Sequence, residues 1–265
     1  MKLKVIIPLI ILLICTTAGL ALFSVQTVNK LNRVNTAITG LSKDMASMRT
    51  LTTGTDADTG TSIAQLVTLV NPAVVRIDVT GSNFAGVGSG FIVDESGYVL
   101  TNQHVIDNSN SVKVTLASGE SISATIVDFD TNRDLALLKM TSNRNDFPTI
   151  GLGSAKDAAV GDAIVVVGFP LGLQLSGPAS FSNGIVSALR IIDGLDYIQT
   201  NAAINAGNSG GPVIDMQGTL VGLTVASVTD PTKTVQGLGL VIPVADVLAF
   251  IDSGRISCSS CHYIA

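Results

Sequence analysis

The sequence predicts an all-β domain built from two packed barrels, and three observations carry that expectation. The 265-residue chain holds 26 Gly and 8 Pro with only 4% aromatic residues, a balance that favours many short strands and tight turns over long helices. Twelve short β-rich segments, from Val74–Thr80 to Gly237–Ile242, lie between turn signals. A dozen strands exceed what one small barrel closes, which points to two. Hydrophobic residues make up 46% of the chain and charged residues 13%, against about 25% charged in an average soluble protein. That excludes an intrinsically disordered chain. The formal net charge is −5 with no basic stripe, so a nucleic-acid partner is not expected. The three cysteines, Cys15, Cys258 and Cys261, sit near the two ends, so no disulfide framework holds the fold.

From the N-terminus, residues 1–26 are expected to form a transmembrane anchor. Val5 to Val25 is almost entirely apolar after Lys2 and Lys4, and it matches the ~20 residues of helix that cross a bilayer core. A cleaved signal peptide is the competing reading. Its apolar stretch is about 7–15 residues, and here the best small-x-small site, Gly19-Leu20-Ala21, lies inside the run. Lys30 and Arg33 balance Lys2 and Lys4, so flanking charge does not orient the segment. Over residues 27–49, Leu31, Val34, Ile38, Leu41, Met45 and Met48 alternate spacings of three and four, the pattern of an amphipathic or coiled-coil-like stalk. Residues 50–62, rich in Thr, Gly and Asp, read as a flexible linker. The folded domain is expected over residues 63–252. Ser62 caps a helix carrying Ile63, Leu66, Val67 and Val70, and Asn71-Pro72 ends it. The strands follow, among them Gly90–Val93, Phe181–Leu189 and Tyr197–Thr200, and an amphipathic helix over Val244–Ile251 closes the domain.

Three segments carry chemistry. In "GSGFIVDESGYVLTNQHV", His104 stands where a strand ends, with no second His, Cys or carboxylate nearby at metal-ligand spacing. By itself it reads first as a buried structural His held by hydrogen bonds. In "NRDLALLK", Asp134 heads an apolar strand, with Asp107, Asp128 and Asp130 as rivals, since turn Asp residues are common. The third segment, "NAAINAGNSGGPV", is the specific one. A Ser surrounded by Gly on a tight turn can present its hydroxyl while neighbouring backbone N–H groups converge on one point, and such preorganised donors make an oxyanion hole.

The order His104, Asp134, Ser209 is that of chymotrypsin-like proteases and differs from the orders in subtilisins and α/β-hydrolases. With "VVVGFPLGL", "NGIVSAL", "IQTNAAINAGNSGGPVID" and "GLGLVIP" also in sequence, the stretch from about Ile63 to Ile251 resembles the protease domain of the HtrA (Deg) family of trypsin-like serine proteases. The resemblance implies a chymotrypsin/trypsin-like double β-barrel. It assigns His104 and Asp134 to the first barrel and Ser209 to the second, together as the catalytic triad. It also assigns the backbone N–H groups of Gly207 and Ser209 to the oxyanion hole. The substrate pocket would lie near Ile204, Leu223, Thr224 and Val225, where no carboxylate is available for Arg or Lys, so a small or medium aliphatic residue is expected before the scissile bond.

The family's chemistry needs no metal or cofactor, and none is expected. The implied substrates are unfolded or damaged polypeptides, met outside the cytoplasm, and the implied assembly is a homotrimer. A non-catalytic chaperone or adaptor on the same fold is the alternative. Asn208 stands where digestive relatives carry an Asp that pairs with a newly cut N-terminus; an amide forms no such ion pair, so activation by that cleavage is not expected. The sequence departs from the family pattern in three places. Asn201 replaces the usual Asp, "GLGLVIP" replaces a motif ending Phe-Ala-Ile-Pro, and only residues 253–265 follow Asp252, so the PDZ domain of many members is not expected. In that tail, Cys258-Ser259-Ser260-Cys261-His262 matches a c-type haem attachment pattern. A CxxC redox or metal pair and a silent tail are the other readings; with three residues after His262 and no other His but His104, no haem is expected.

Overall fold

A capping box opens the described structure. The computed structural model describes residues 62–153, 158–170, 177–227 and 238–253. The expected anchor and stalk, nearly all of the linker and the cysteine-bearing tail therefore lie outside the described residues. Among the described residues, no helix is long and apolar enough to cross a membrane. Helix α1 spans Ile63–Val70. Ser62 Oγ accepts the Gln65 N–H at 3.3 Å, and Gln65 Oε1 accepts the Ser62 N–H at 2.7 Å. Such reciprocal capping stabilises a short helix by about 1 kcal/mol. Leu66 and Val70 bury its apolar face, and a 3-10 turn over Asn71–Ala73, carrying Pro72, ends it.

Among the described residues, twelve strands follow in two closed antiparallel barrels. The first comprises β1 (Val74–Thr80), β2 (Ala85–Asp94), β3 (Tyr98–Thr101), β4 (Ser111–Thr115), β5 (Ser121–Asp130) and β6 (Leu135–Met140), in the order β1-β2-β3-β6-β5-β4. A one-turn helix α2 (Gln103–Ile106) leaves β3. The second barrel comprises β7 (Ala163–Gly168), β8 (Ser180–Ile192), β9 (Leu195–Thr200), β10 (Pro212–Asp215), β11 (Leu220–Ser227) and β12 (Gly239–Pro243), in the order β10-β11-β12-β9-β8-β7. Helix α3 (Val244–Asp252) follows β12. This is the all-β double barrel that the sequence predicts.

β3, β6, β7 and the second half of β2 are buried on both faces, which explains their unbroken apolar runs, whereas β5 and β8 are largely exposed. On β6, Ala136, Leu138 and Met140 fill the first barrel, while Leu135 and Leu137 join Phe91, Leu100, Val165 and Val167 in a cluster shared by both barrels. On β7, Ile164 and Val166 fill the second barrel, and Val165 and Val167 face the shared cluster. α1 and α3 add Leu66, Val70, Val247, Phe250 and Ile251 to that cluster.

Several strands run longer than expected. β8 extends to Ile192 and β9 starts at Leu195, because Asp193 (φ 52°) and Gly194 (φ 80°) form a two-residue turn with both central residues left-handed. An Asp-Gly pair in that conformation matches the twist of a hairpin and lets the ladder run to its tip. β2 starts at Ala85 rather than Gly90, since Ala85 to Ser89 pair with β1 despite three glycines in the strand.

Candidate active site

The strand pairing brings the first two candidates together. Thr101 lies opposite Ala136 in the β3–β6 ladder, so the residues leaving β3 stand beside those entering β6. His104 sits on α2 just past that corner, and Asp134 heads β6. His104 Nδ1 lies 2.8 Å from Asp134 Oδ2, and the His104 backbone N–H donates to Asp134 Oδ1 at 2.9 Å. Both carboxylate oxygens thus hold one residue, one through its ring and the other through its backbone. The His104 side chain is 48% exposed and that of Asp134 22%, so the imidazole faces a space open to a ligand while its partner is sheltered. The rivals Asp107, Asp128 and Asp130 make other contacts: Asp107 meets Gln103 and Asn108, Asp128 accepts from the Phe129 N–H, and Asp130 accepts from the Asn132 and Arg133 N–H groups.

Asp134 has φ 59°, a left-handed conformation that costs an L-residue about 1–2 kcal/mol. Its neighbours hold it there. The buried Asn102 amide donates to the Asp134 carbonyl at 2.8 Å. Arg133, 6% exposed, reaches from the first barrel to the second, where Nη2 donates to the Asp196 carbonyl and to Asp246 on α3. Its guanidinium lies 4.8 Å from the centre of the Tyr197 ring. Neither residue was assigned a role from sequence, although both stand inside the motifs quoted for His104 and Asp134.

Ser209 lies in the turn before β10. Among the described residues, the N–H groups of Gly207 and Ser209 donate to no protein acceptor, while those flanking them are engaged. Asn208 N–H donates to Asn205 O at 3.0 Å, Gly210 N–H to Thr224 O at 2.8 Å, and Gly211 N–H to Asn208 O at 2.9 Å. The turn thus leaves two donors free beside the serine, with Gly207 at φ 99°. Gly210 is left-handed at φ 83°, and a Cβ there would lie 2.3 Å from both Ser89 O and Thr101 Oγ1. Only glycine lets the turn approach the first barrel this closely, which sets Ser209 against the corner that carries His104. Among the described contacts, none joins the Ser209 hydroxyl to the His104 ring.

Ser89 on β2, fully buried, ties this turn to the first barrel. Its N–H donates to Ser209 O at 2.8 Å, its hydroxyl to Gly207 O at 2.6 Å, and Oγ accepts the Phe169 N–H at 2.9 Å. The segment before the turn is held by Asn201, whose side-chain oxygen accepts the Ile185 N–H at 2.8 Å. An acceptor oxygen suffices there, and an amide supplies one as a carboxylate would.

The candidate pocket residues separate. Ile204 is 8% exposed and packs in the second barrel, and Leu223 is fully buried in the cluster shared by the barrels. Thr224 is fully buried, with its N–H on Gly211 O and its Oγ1 without a partner. Val225 is half-buried at a break in the β11–β12 register. A surface cavity of about 410 Å³ lies elsewhere, between the β8–β9 hairpin and α3, and includes none of His104, Asp134 or Ser209.

Two antiparallel six-stranded barrels, with a His–Asp pair from one and a glycine-bounded Ser turn from the other, define the chymotrypsin-like class. Residues 88–223 match the family model described as a trypsin-like peptidase domain. The chain is 36% identical over 205 residues to serine protease HTRA1 of Xenopus tropicalis, covering 71% of this chain and 42% of that one. It is 39% identical over 161 residues to a protein of Chlamydia trachomatis named "Probable periplasmic serine endoprotease DegP-like", covering 59% of this chain and 31% of that one. The solved structure of a serine endoprotease from Yersinia pestis superposes with a TM-score of 0.63 at 32% identity, covering 72% of this chain and 66% of that chain. The chain belongs to the trypsin-like peptidase family, and its two-barrel domain is an HtrA-type protease domain. It spans less than half the length of these curated relatives.

Proposed function

We propose that the protein is a serine endopeptidase that hydrolyses peptide bonds in unfolded or damaged polypeptides. The observation that carries the reading is the His104–Asp134 contact at 2.8 Å beside a turn whose Gly207 and Ser209 N–H groups meet no acceptor among the described residues. A serine hydroxyl is a weak nucleophile at neutral pH and needs a base. In this reading His104 Nε2 takes the Ser209 proton as Oγ attacks the scissile carbonyl. Asp134 on Nδ1 fixes the tautomer and stabilises the imidazolium. The two free N–H groups receive the carbonyl oxygen as it gains charge; removal of one such donor costs about 3–4 kcal/mol of barrier elsewhere. His104 then gives its proton to the leaving amine, and water attacks the acyl-Ser209 by the same route in reverse. Substrate recognition near Ile204 and Leu223–Val225, without a carboxylate among them, favours a small or medium aliphatic residue before the cleaved bond.

The wider setting belongs to the same proposal. Residues 1–26 anchor the chain in a membrane, 27–49 form a stalk, and 50–62 link it to the protease domain over 63–252. The domain acts on the extracytoplasmic side, in keeping with the periplasmic name of the Chlamydia relative, and assembles as a homotrimer. The experiment is incubation of the purified full chain with a permanently unfolded protein, with Ser209→Ala beside it. Hydrolysis by the wild type alone supports the reading. Intact substrate in both, with suppression of its aggregation, supports the chaperone alternative instead.

A further inference from the structure

We propose that Ser89 is a positioning residue for catalysis, acting by fixing the turn that carries the two oxyanion donors; this rests on the peptidase reading above. Ser89 stands on β2 of the first barrel, 118 residues from the turn in sequence. It holds the carbonyls of the same two residues whose N–H groups are free: the hydroxyl donates to Gly207 O at 2.6 Å and the backbone N–H to Ser209 O at 2.8 Å. These bonds pin the peptide planes following Gly207 and Ser209. The plane bearing the Ser209 N–H lies between the two pinned planes. The plane bearing the Gly207 N–H adjoins one of them. Gly207, at φ 99° with no side chain, would otherwise be the freest hinge in the turn.

The hydroxyl is itself held. Oγ accepts the Phe169 N–H at 2.9 Å, which leaves its single proton for Gly207 O, and Thr101 Oγ1 donates to Ser89 O at 2.7 Å. Phe169 follows β7, so one side chain spans two segments of the second barrel from the first. The space is closed: a Cβ on Gly168 would lie 2.8 Å from Ser89 Oγ and 3.0 Å from Asn208 Oδ1. Buried and fully engaged, the hydroxyl holds the donors in place before substrate arrives, which is where preorganisation lowers a barrier.

Ser89→Ala removes the hydroxyl without adding volume. It loosens the donors rather than deleting one, so the expected loss in kcat is about 10–100-fold, below the 10²–10³ for deleting a donor. KM should stay within about twofold. Affinity for a peptidyl aldehyde, whose adduct places an oxyanion in the hole, should fall with kcat, while affinity for a product peptide should not change. Ser89→Cys keeps a weak donor and should fall between alanine and wild type. It carries the test if Ser89→Ala does not fold. A folded Ser89→Ala protein with kcat within twofold of wild type, a Ser89→Cys protein with kcat equal to wild type, or a loss that lies wholly in KM overturns the role. Wild-type protein that hydrolyses nothing overturns the peptidase reading, and this role with it.

Discussion

Replacing Asp246 with alanine should destabilise the domain by about 2–3 kcal/mol, and the reason lies in Arg133. The guanidinium is buried, and its Nε and Nη1 have no partner. Its charge is met by the Asp246 carboxylate, the Asp196 carbonyl and the Tyr197 ring. Removing one partner of a fully buried pair costs about 3–5 kcal/mol, because the remaining charge is left uncompensated. The Asp246 side chain is 39% exposed, so water reaches the gap and lowers that figure. Asp246 also lies in the first turn of α3, where a negative charge favours the helix, adding about 0.5 kcal/mol. For a domain of this size the change lowers Tm by about 4–12 °C. Urea unfolding and thermal melts of Asp246→Ala, Arg133→Met and the double variant measure it. The double variant buries no unpaired charge and should recover at least half of the loss. A loss below about 0.5 kcal/mol for Asp246→Ala, or a double variant no more stable than Asp246→Ala, would refute the electrostatic account.

Other consequences concern the chemistry. Ser209→Ala and His104→Ala should each lower turnover by about 10⁶ and Asp134→Asn by about 10⁴, and the Ser209→Ala/His104→Ala pair should add almost nothing to either, as for residues acting as a unit; steady-state kinetics with circular dichroism as the folding control decide this. Mapped cleavage sites in an unfolded substrate should follow Val, Ala or Leu, and a majority after Arg or Lys would contradict the pocket assignment. Full-length protein from cells should stay with membranes through alkaline extraction; a soluble mature chain beginning near Gln26 would contradict the anchor.

The barrels were readable because both faces of strands such as β6 are apolar and turns punctuate them, and the glycines of "GNSGGP" mark a turn with a reason to exist. Neither segment alone pairs His104 with Asp134; the family resemblance carried by the six motifs in order implies that pairing, and the 2.8 Å contact between the two agrees with it. Asn102 and Ser89 were not readable, although their motifs were quoted. Their roles depend on hydrogen bonds to residues 32 and 118 positions away, which neither periodicity nor propensity encodes. Nothing local marks Arg133, and only the packing of the two barrels brings Asp246, 113 positions on, to meet it. That the Leu223 side chain lies in the cluster shared by the barrels follows from how the second barrel closes, which strand propensity does not encode. The β8–β9 hairpin runs past the expected Phe181–Leu189 and Tyr197–Thr200 because the Asp193-Gly194 turn lets the ladder continue to its tip.

The central claim is that Ser209, served by His104 and two free backbone donors, is a nucleophile. A fluorophosphonate, which forms a stable adduct only with an activated serine, tests it directly when the labelled peptide is mapped by mass spectrometry. The account predicts one adduct, on Ser209, abolished in Ser209→Ala and strongly slowed in His104→Ala. No adduct on folded wild-type protein, or an adduct on another serine that persists in Ser209→Ala, would contradict it.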